Sequence, residues 1–153
     1  MLIHFVCTGN SYRSRLAGTY LNSKQIPNIK AQSSGTMANR NMEGVISWEA
    51  QRIIQNNNLT QYESHMWRET TKKLLDSADL VVFMQKGHYD YCKEKLGFLK
   101  TNFRIFDIKD IGDDGYSDAY ISLENDIEKI KLTEKIYGDI QKKVDKLIKE
   151  ITS

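Results

Sequence analysis

Short apolar runs alternate along the chain with segments whose apolar residues recur every three or four positions. The short runs predict buried strands, and the longer periodic segments predict helices. The predicted strands are Leu2–Val6, Ile29–Gln32, Leu80–Met84 and Phe103–Phe106. The predicted helices are Ser14–Lys24, Gly44–Asn56, Thr70–Leu75, Tyr89–Leu96 and a C-terminal helix with Ile136, Ile140, Val144, Leu147 and Ile151 on one face. Because strands that alternate with helices are joined by right-handed crossovers, the pattern predicts an α/β fold. We expect a three-layer sandwich in which a four-stranded parallel sheet is flanked by helices on both faces.

The chain is predicted to form a single domain over residues 1–153, because it shows no repeat, low-complexity tract or linker. Hydrophobic residues make up 40% and charged residues 27%, proportions typical of a soluble globular protein. The net charge of +2 does not favour nucleic acid as a partner, and no apolar run is long enough to span a bilayer. The residues before Cys7 are too few for a signal-peptide core. We therefore expect a cytoplasmic protein with no nucleic-acid or membrane partner.

The segment most informative about function follows the first predicted strand and reads CTGNSYRS. It lies at the carboxyl edge of the predicted sheet, where open α/β folds bind ligands. Gly9 and Asn10 tolerate left-handed backbone angles, so successive amides can turn inward around an anion. The following helix adds the dipole of its N-terminus, and Arg13 can hold a phosphate with two parallel hydrogen bonds. The segment thus predicts a phosphate-binding loop formed by Thr8, Gly9, Asn10, Ser11, Tyr12 and Ser14.

Cys7 begins this loop, and its position near a helix N-terminus and Arg13 favours the thiolate at neutral pH. A thiolate attacks phosphorus directly, so we predict Cys7 as the nucleophile and Arg13 as the clamp on the phosphate. Ser14 is a candidate donor to the sulfur when the thiolate leaves. Cys92 is predicted to be a small buried hydrophobic residue. Two cysteines and three histidines with no ligand spacing predict neither a metal site nor a cofactor.

The loop resembles the signature of the low-molecular-weight protein tyrosine phosphatases, which is a cysteine, five residues and an arginine followed by Ser or Thr near the N-terminus. SSGT at 33–36 is similar to the family's Ser-Ala-Gly-Thr, and SADLVVFM at 77–84 is similar to its Ala-Asp-Leu-Ile-Leu-Val-Met strand. The resemblance implies a phosphotyrosine phosphatase I-like fold and hydrolysis of phosphomonoesters through a phosphocysteine. The implied partners are a phosphorylated protein, with phosphotyrosine expected, or a small phosphomonoester, and inorganic phosphate or vanadate in the loop. It also implies that Asn10, Ser14 and Ser33 hold the loop in shape.

The resemblance further implies a general acid from an Asp-Pro-aromatic motif in the loop after the fourth strand. One such carboxyl group protonates the leaving oxygen and then activates water. The corresponding loop here, Asp107 to Tyr116, contains no proline. Matching this loop to the family's Asp-Ile-Pro-Asp spacing implies that Asp110 is the acid. Because Asp-Ile-x-Asp occurs twice here, a shift of three residues would make Asp113 the acid instead. These aspartates could instead be turn formers in a solvated loop.

Two residues of the loop depart from the family's pattern. Tyr12 stands where the family often has a second cysteine that traps the oxidised nucleophile, so Cys7 is expected to over-oxidise more easily. Arg15 replaces the usual proline and is expected either to add positive potential at the rim or to be a first-turn surface residue. The candidates for walls around a phosphotyrosine ring are Tyr12, Trp48, Tyr116 and Tyr120.

Two other functions fit the same loop. A thioredoxin-coupled arsenate reductase of this fold has a similar loop but needs two further cysteines in its second half, and this chain has only Cys92 there. A non-catalytic phosphoanion-binding relative would keep the loop and lack an effective acid.

Overall fold

The computed structural model describes residues 1–40, 44–110 and 123–153. Its parallel strands are β1 (Leu2–Cys7), β2 (Lys30–Gly35), β3 (Leu80–Phe83) and β4 (Phe103–Ile105), in the sheet order β2-β1-β3-β4. Its helices are α1 (Arg13–Ser23), α2 (Trp48–Asn56), α3 (Lys72–Ser77), α4 (Lys86–Leu96) and α5 (Leu123–Thr152), with short 3-10 helices at Ala38–Arg40 and Thr60–Tyr62. The predicted α/β fold with a four-stranded parallel sheet is confirmed.

The side chains of β1 alternate between two hydrophobic cores, one on each face of the sheet. Ile3, Phe5 and Cys7 belong to the larger core, which also contains buried residues of α1, α2 and α5. Val6 belongs to the smaller core, together with residues of α3, α4 and their flanking loops. Since a strand turns successive side chains to opposite faces, both faces of β1 are covered, and the molecule has three layers.

The second strand runs further than its sequence predicts. Residues 33–41 have the composition of a loop, but Ser33, Ser34 and Gly35 pair in register with Phe5, Val6 and Cys7. Because β2 carries these small residues to the carboxyl edge beside Cys7, the prediction that the strand ends at Gln32 is wrong.

The start of α2 also differs from its prediction. The helix begins at Trp48 rather than near Gly44, because the Ser47 side chain caps it by accepting the Ala50 N–H at 3.2 Å.

The long helix α5 carries most of its charges into solvent, as its pattern predicts, but Lys129 is an exception. Lys129 is only 3% exposed, and its Nζ lies 3.4 Å from a carboxylate oxygen of the buried Glu49 on α2. This buried ion pair joins α5 to α2. No helix of the described ranges 1–40, 44–110 and 123–153 has the length and apolar character needed to cross a membrane.

The sheet order places the loop after β1 at a switch point. The chain moves from β1 to β2 on one side and later returns to β3 on the other side of β1. Helical connections therefore leave β1 and its neighbours in opposite directions, which opens a crevice at their carboxyl ends.

Candidate active site

Asn10 shapes the loop that joins β1 to α1. Its backbone has a left-handed φ of 53°, a conformation that asparagine tolerates better than most residues. Its buried side-chain amide donates to Ser14 Oγ and Ser33 Oγ, each at 2.9 Å. Its Oδ1 accepts the backbone N–H of Arg68 at 2.8 Å. The structure thus brings together Asn10, Ser14 and Ser33, and it adds the backbone of Arg68, which the sequence did not indicate.

The sulfur of Cys7 lies among donors inside this loop. Ser14 Oγ is 2.8 Å from Cys7 Sγ, and the Asn10 backbone N–H donates to the same sulfur at 3.3 Å. Because Ser14 Oγ accepts a hydrogen bond from the Asn10 side chain, its own hydroxyl hydrogen can point at the sulfur. Both groups can therefore donate hydrogen bonds to the sulfur.

The backbone of β2 approaches the loop closely at Gly35. A Cβ added to Gly35 would lie 2.4 Å from the Thr8 carbonyl oxygen and 2.6 Å from the Asn10 nitrogen. Just beyond, the Thr36 N–H donates to the Cys7 carbonyl and the Met37 N–H to the Thr8 carbonyl, both at 2.9 Å. Only glycine fits at position 35 without moving the loop.

Arg13 is the first residue of α1, and its buried guanidinium contacts elements on the far side of the loop. Its Nη1 donates to Gln85 Oε1 at 2.6 Å and to the Ile108 carbonyl at 2.7 Å. Its Nη2 lies 3.5 Å from Thr8 Oγ1 and 3.2 Å from Asp110 Oδ2. Protein acceptors therefore orient the Nη1 end, and the Nη2 end faces the loop and the acidic segment.

Asp110 is the described carboxylate that the structure brings to the predicted clamp. It pairs with Arg13 Nη2, and its side chain remains 42% exposed. Asp113, the alternative acid, lies outside the described residues. The contact between Asp110 and Arg13 joins the loop after β4 to the start of α1.

His88 and Gln85 are site residues that the sequence analysis missed. The Gln85 backbone N–H donates to His88 Nδ1 at 3.1 Å, so the neutral ring carries its hydrogen on Nε2. That nitrogen lies 2.9 Å from Thr8 Oγ1 and donates to it. The signal that could have identified His88 is its place in the first turn of the helix that follows the third strand, at the same edge as the loop.

Tyr12 is enclosed, with only 5% of its surface exposed. Its ring is buried in the larger core, and its hydroxyl donates to the Thr133 carbonyl of α5 at 3.2 Å. Burial, reinforced by the charges of Asp110 and Glu49, raises the pKa of Tyr12 well above its ordinary value. The prediction of an aromatic wall at this position is wrong, because α5 covers the ring.

Arg15 contradicts both of its predictions, since it neither lies at the rim nor extends along the surface. It is 2% exposed. Its Nη1 donates to the Asn10 carbonyl at 3.2 Å and to the Val45 carbonyl at 3.0 Å, and its Nη2 donates to the Ser64 carbonyl. Arg15 is a buried support of the loop, behind Asn10.

Trp48 is the predicted wall residue that stays accessible, with 47% of its surface exposed. It lines a cavity of about 680 Å³ together with Ser47 and Lys129. The cavity lies next to the loop, because the Ser47 backbone N–H donates to the Ser11 carbonyl at 3.0 Å. Tyr116 and Tyr120 lie outside the described residues.

The second thiol is remote from the site in the layered fold. Cys92 is fully buried in the smaller core, whereas Cys7 belongs to the larger one. Burial raises the pKa of the Cys92 thiol to about 12, so this thiol stays protonated. Among residues 1–40, 44–110 and 123–153, no group of three or more His, Cys, Asp or Glu side chains forms a metal site.

Known proteins resemble this chain in sequence. The sequence model of the family described as low molecular weight phosphotyrosine protein phosphatase matches residues 2–153. A protein-arginine-phosphatase from Geobacillus stearothermophilus is 30% identical over 115 residues, which cover 74% of this chain and 74% of that relative.

Solved structures show the same fold. A low molecular weight protein tyrosine phosphatase from T. tengcongensis has a TM-score of 0.75 at 22% identity and covers 98% of this chain and 99% of its own. The tyrosine phosphatase Wzb from Escherichia coli K30, solved with sulphate, has a TM-score of 0.74 at 20% identity and covers 98% of this chain and 97% of its own. Because the family's sequence model extends over nearly the whole chain, the protein belongs to the low molecular weight phosphotyrosine protein phosphatases.

Proposed function

We propose that this phosphatase removes phosphoryl groups from proteins by hydrolysis, through a phosphocysteine formed on Cys7. The observation that carries the proposal is the surroundings of the sulfur, where Ser14 Oγ at 2.8 Å and the Asn10 N–H at 3.3 Å both support a thiolate. The sulfur attacks phosphorus, and the bond from phosphorus to the leaving group breaks. Water then attacks the phosphocysteine, and Ser14 donates to the departing sulfur. Inorganic phosphate is released.

Arg13 is proposed to hold the phosphoryl group during both steps. Its Nη1 is occupied by Gln85 and Ile108, which leaves the edge formed by Nε and Nη2 to meet two phosphate oxygens side by side. The contacts of Nη2 to Asp110 and Thr8, at 3.2 and 3.5 Å, are the ones that phosphate would replace. Thr8, Gly9, Asn10, Ser11, Tyr12 and Ser14 would surround the remaining oxygens as the phosphate-binding loop.

Asp110 is proposed as the general acid and then the general base. Its carboxyl group is partly exposed and lies beside the phosphate clamp, so it is within reach of a leaving group that points out of the loop. This position argues against the non-catalytic alternative, in which no acid would lie near the loop. Asp113 remains the alternative acid.

Two phosphorylated side chains are candidate substrates. Phosphotyrosine is expected from the family, whose description names it. Phosphoarginine is favoured by the Geobacillus relative, a protein-arginine-phosphatase at 30% identity. The burial of Tyr12 also favours phosphoarginine, because this ring is then not available to pack against the ring of a phosphotyrosine. We infer that the protein is a protein phosphatase of the cytoplasm. Both of its cysteines are free thiols, and free thiols persist in the reducing cytoplasm.

The arsenate reductase alternative is disfavoured by the same geometry. That chemistry passes a disulfide from the nucleophile to further cysteines. Cys92 is fully buried on the opposite face of the sheet from Cys7, so it cannot serve as a relay without unfolding its core.

The test of the proposed function is the turnover of a small aryl phosphate by wild type, Cys7→Ser and the matched control Cys92→Ser. Vanadate-sensitive turnover is expected in wild type and Cys92→Ser and not in Cys7→Ser. Turnover that survives in Cys7→Ser would refute the phosphocysteine. Thioredoxin-coupled arsenate reduction, measured on the same samples, should be absent.

The acid is tested with Asp110→Asn and Asp113→Asn on two leaving groups. A poor leaving group such as phenolate needs its proton more than nitrophenolate does. Asp110→Asn is therefore expected to lose about 10²–10⁴-fold on phenyl phosphate and much less on nitrophenyl phosphate. If Asp113→Asn shows that pattern instead, Asp113 is the acid.

The substrate is tested by comparing kcat/KM on peptides that carry phosphotyrosine or phosphoarginine in one sequence context. Preference for phosphoarginine would assign the protein the activity named for its Geobacillus relative. Preference for phosphotyrosine would assign it the activity in the family's description.

A further inference from the structure

Two residues at the start of α4 contact opposite ends of the phosphate-binding loop. Gln85 is the N-cap residue of this helix, and His88 is its third residue. The Gln85 side chain accepts a hydrogen bond from Arg13 Nη1 at 2.6 Å, and His88 Nε2 lies 2.9 Å from Thr8 Oγ1. The backbone N–H of Gln85 donates to His88 Nδ1, so the two residues are themselves joined. The start of α4 therefore contacts both the first and the last part of the loop.

The partners of Thr8 Oγ1 determine the direction of each hydrogen bond that it forms. Because His88 Nδ1 accepts the Gln85 N–H at 3.1 Å, the neutral ring carries its hydrogen on Nε2 and donates to Thr8. The other neighbour of the Thr8 oxygen is Arg13 Nη2 at 3.5 Å, and a guanidinium can only donate. Thr8 Oγ1 is thus the acceptor in both contacts, and neither contact uses its own hydrogen.

The hydroxyl hydrogen of Thr8 is available to a ligand. Within the described ranges 1–40, 44–110 and 123–153, Thr8 Oγ1 contacts only His88 and Arg13, and both donate to it. A hydroxyl oxygen has two lone pairs and one hydrogen, so two incoming hydrogen bonds leave only the hydrogen for a further partner. Thr8 is exposed, whereas His88 is only 7% exposed. An enclosed histidine therefore orients a donor that is accessible from solvent.

We propose that the Thr8 hydroxyl donates to the phosphoryl oxygen bound by Arg13 Nη2, and that His88 is the positioning residue that directs this hydroxyl. The proposal rests on the phosphatase function proposed above and adds a side-chain contact to the loop. Because Nη2 and Thr8 Oγ1 are 3.5 Å apart, an oxygen within hydrogen-bond distance of one lies within reach of the other. The Thr8 hydrogen then meets a negative charge, which makes a strong hydrogen bond.

His88 acts on the rotation of the Thr8 hydroxyl. A hydroxyl without a fixed donor nearby can rotate and turn a lone pair toward the phosphoryl oxygen, and two lone pairs repel. The Nε2–H of His88 occupies one lone pair of Thr8 Oγ1 before substrate arrives. The hydroxyl is therefore oriented in advance, and it needs little reorganisation when the negative charge is bound.

The test is the Kd of inorganic phosphate, measured by phosphorus NMR titration at a fixed neutral pH, because this binding requires no turnover. Thr8→Val removes the hydroxyl and keeps the shape of the side chain, so phosphate should bind about 10–100-fold more weakly. Thr8→Ser keeps the hydroxyl and should bind phosphate like wild type. Equal affinity in wild type and Thr8→Val would overturn the proposal.

The role of His88 is tested with His88→Asn. The amide oxygen that this change introduces can replace Nδ1 and accept the Gln85 N–H, but the shorter side chain cannot reach Thr8. The affinity for phosphate should fall roughly 2–10-fold, which corresponds to one neutral hydrogen bond. In the Thr8→Val background, His88→Asn should have no further effect, because no hydroxyl is left to direct. If the two substitutions weaken binding independently, His88 does not act through Thr8, and its positioning role is refuted.

The outcomes distinguish this proposal from the proposed function. Phosphate binding that depends on Thr8 in a protein without Cys7-dependent turnover would support the hydroxyl contact and refute the phosphocysteine. Cys7-dependent turnover, with phosphate bound equally by wild type and Thr8→Val, would support the phosphocysteine and overturn the hydroxyl contact.

Discussion

Substitution of Gly35 by alanine should displace the phosphate-binding loop. The new Cβ would lie 2.4 Å from the Thr8 carbonyl oxygen, 2.6 Å from the Asn10 nitrogen and 2.9 Å from the Gly9 carbonyl carbon, all backbone atoms. Ordinary contact begins near 3.4 Å, so the Thr8 carbonyl must retreat by about 1 Å. A misplacement of about 1 Å at reacting groups costs roughly 10²-fold in rate, and such overpacking costs about 1–3 kcal/mol of stability. We expect both losses.

The assay is kcat/KM on an aryl phosphate together with the free energy of unfolding in urea. Gly138→Ala is the matched control, because a Cβ at Gly138 meets nothing within 4 Å. It lies in the interior of α5, where alanine should gain about 0.5–1 kcal/mol and leave the rate unchanged. If Gly35→Ala retains full kcat/KM, the close approach of β2 does not determine the loop's geometry, and the reasoning is refuted.

Three further changes test other parts of the molecule. Ser14→Ala should lower the turnover number about 10²-fold but keep a burst of first product, measured by rapid quench, because the serine is proposed to donate to the departing sulfur. Loss of the burst would contradict that role. Burial lowers the pKa of His4 to about 3 in the folded protein, whereas the ordinary value is 6.5. Below pH 6.5 the unfolded chain therefore binds a proton at His4 that the folded chain does not bind. Unfolding free energy should therefore fall by about 1.4 kcal/mol per pH unit between 6.5 and 3, and less steeply in His4→Gln; parallel urea curves would exclude this cause. Peroxide should inactivate Cys7 without recovery by dithiothreitol, equally in Cys92→Ala, since the buried Cys92 cannot form a protecting disulfide; recovery in wild type alone would show that it does.

The fold and the loop after β1 could be predicted because both depend on local patterns. Strand and helix periodicity, with a Gly-Asn turn between the first strand and helix, is sufficient to locate Cys7 and Arg13 at one sheet edge. The supports of that loop could not be predicted, since they come from distant positions. The backbone N–H of Arg68 and the side chain of His88 contact the loop from positions far along the chain, and no local spacing indicates these contacts.

Arg15 illustrates why a single substitution is hard to interpret from sequence. In the first turn of an isolated helix, arginine would extend into solvent. Here β2 and the segment that holds Ser64 and Arg68 cover that turn, so the side chain is enclosed. The sequence shows only that residue 15 is charged. Its burial depends on tertiary contacts with segments that are distant in sequence.

The buried supports decide how much the site must rearrange when substrate binds. Asn10 uses all three of its side-chain hydrogen-bonding groups on fixed partners, and Gln85 and Ile108 fix one end of Arg13. The weaker contacts are those of Arg13 Nη2 to Thr8 and Asp110, at 3.5 and 3.2 Å. In the proposed mechanism, phosphate enters by replacing these two contacts while the rest of the loop keeps its shape. Because the donors are already oriented, little reorganisation opposes the attack, which is the condition under which electrostatic stabilisation of a transition state is most effective.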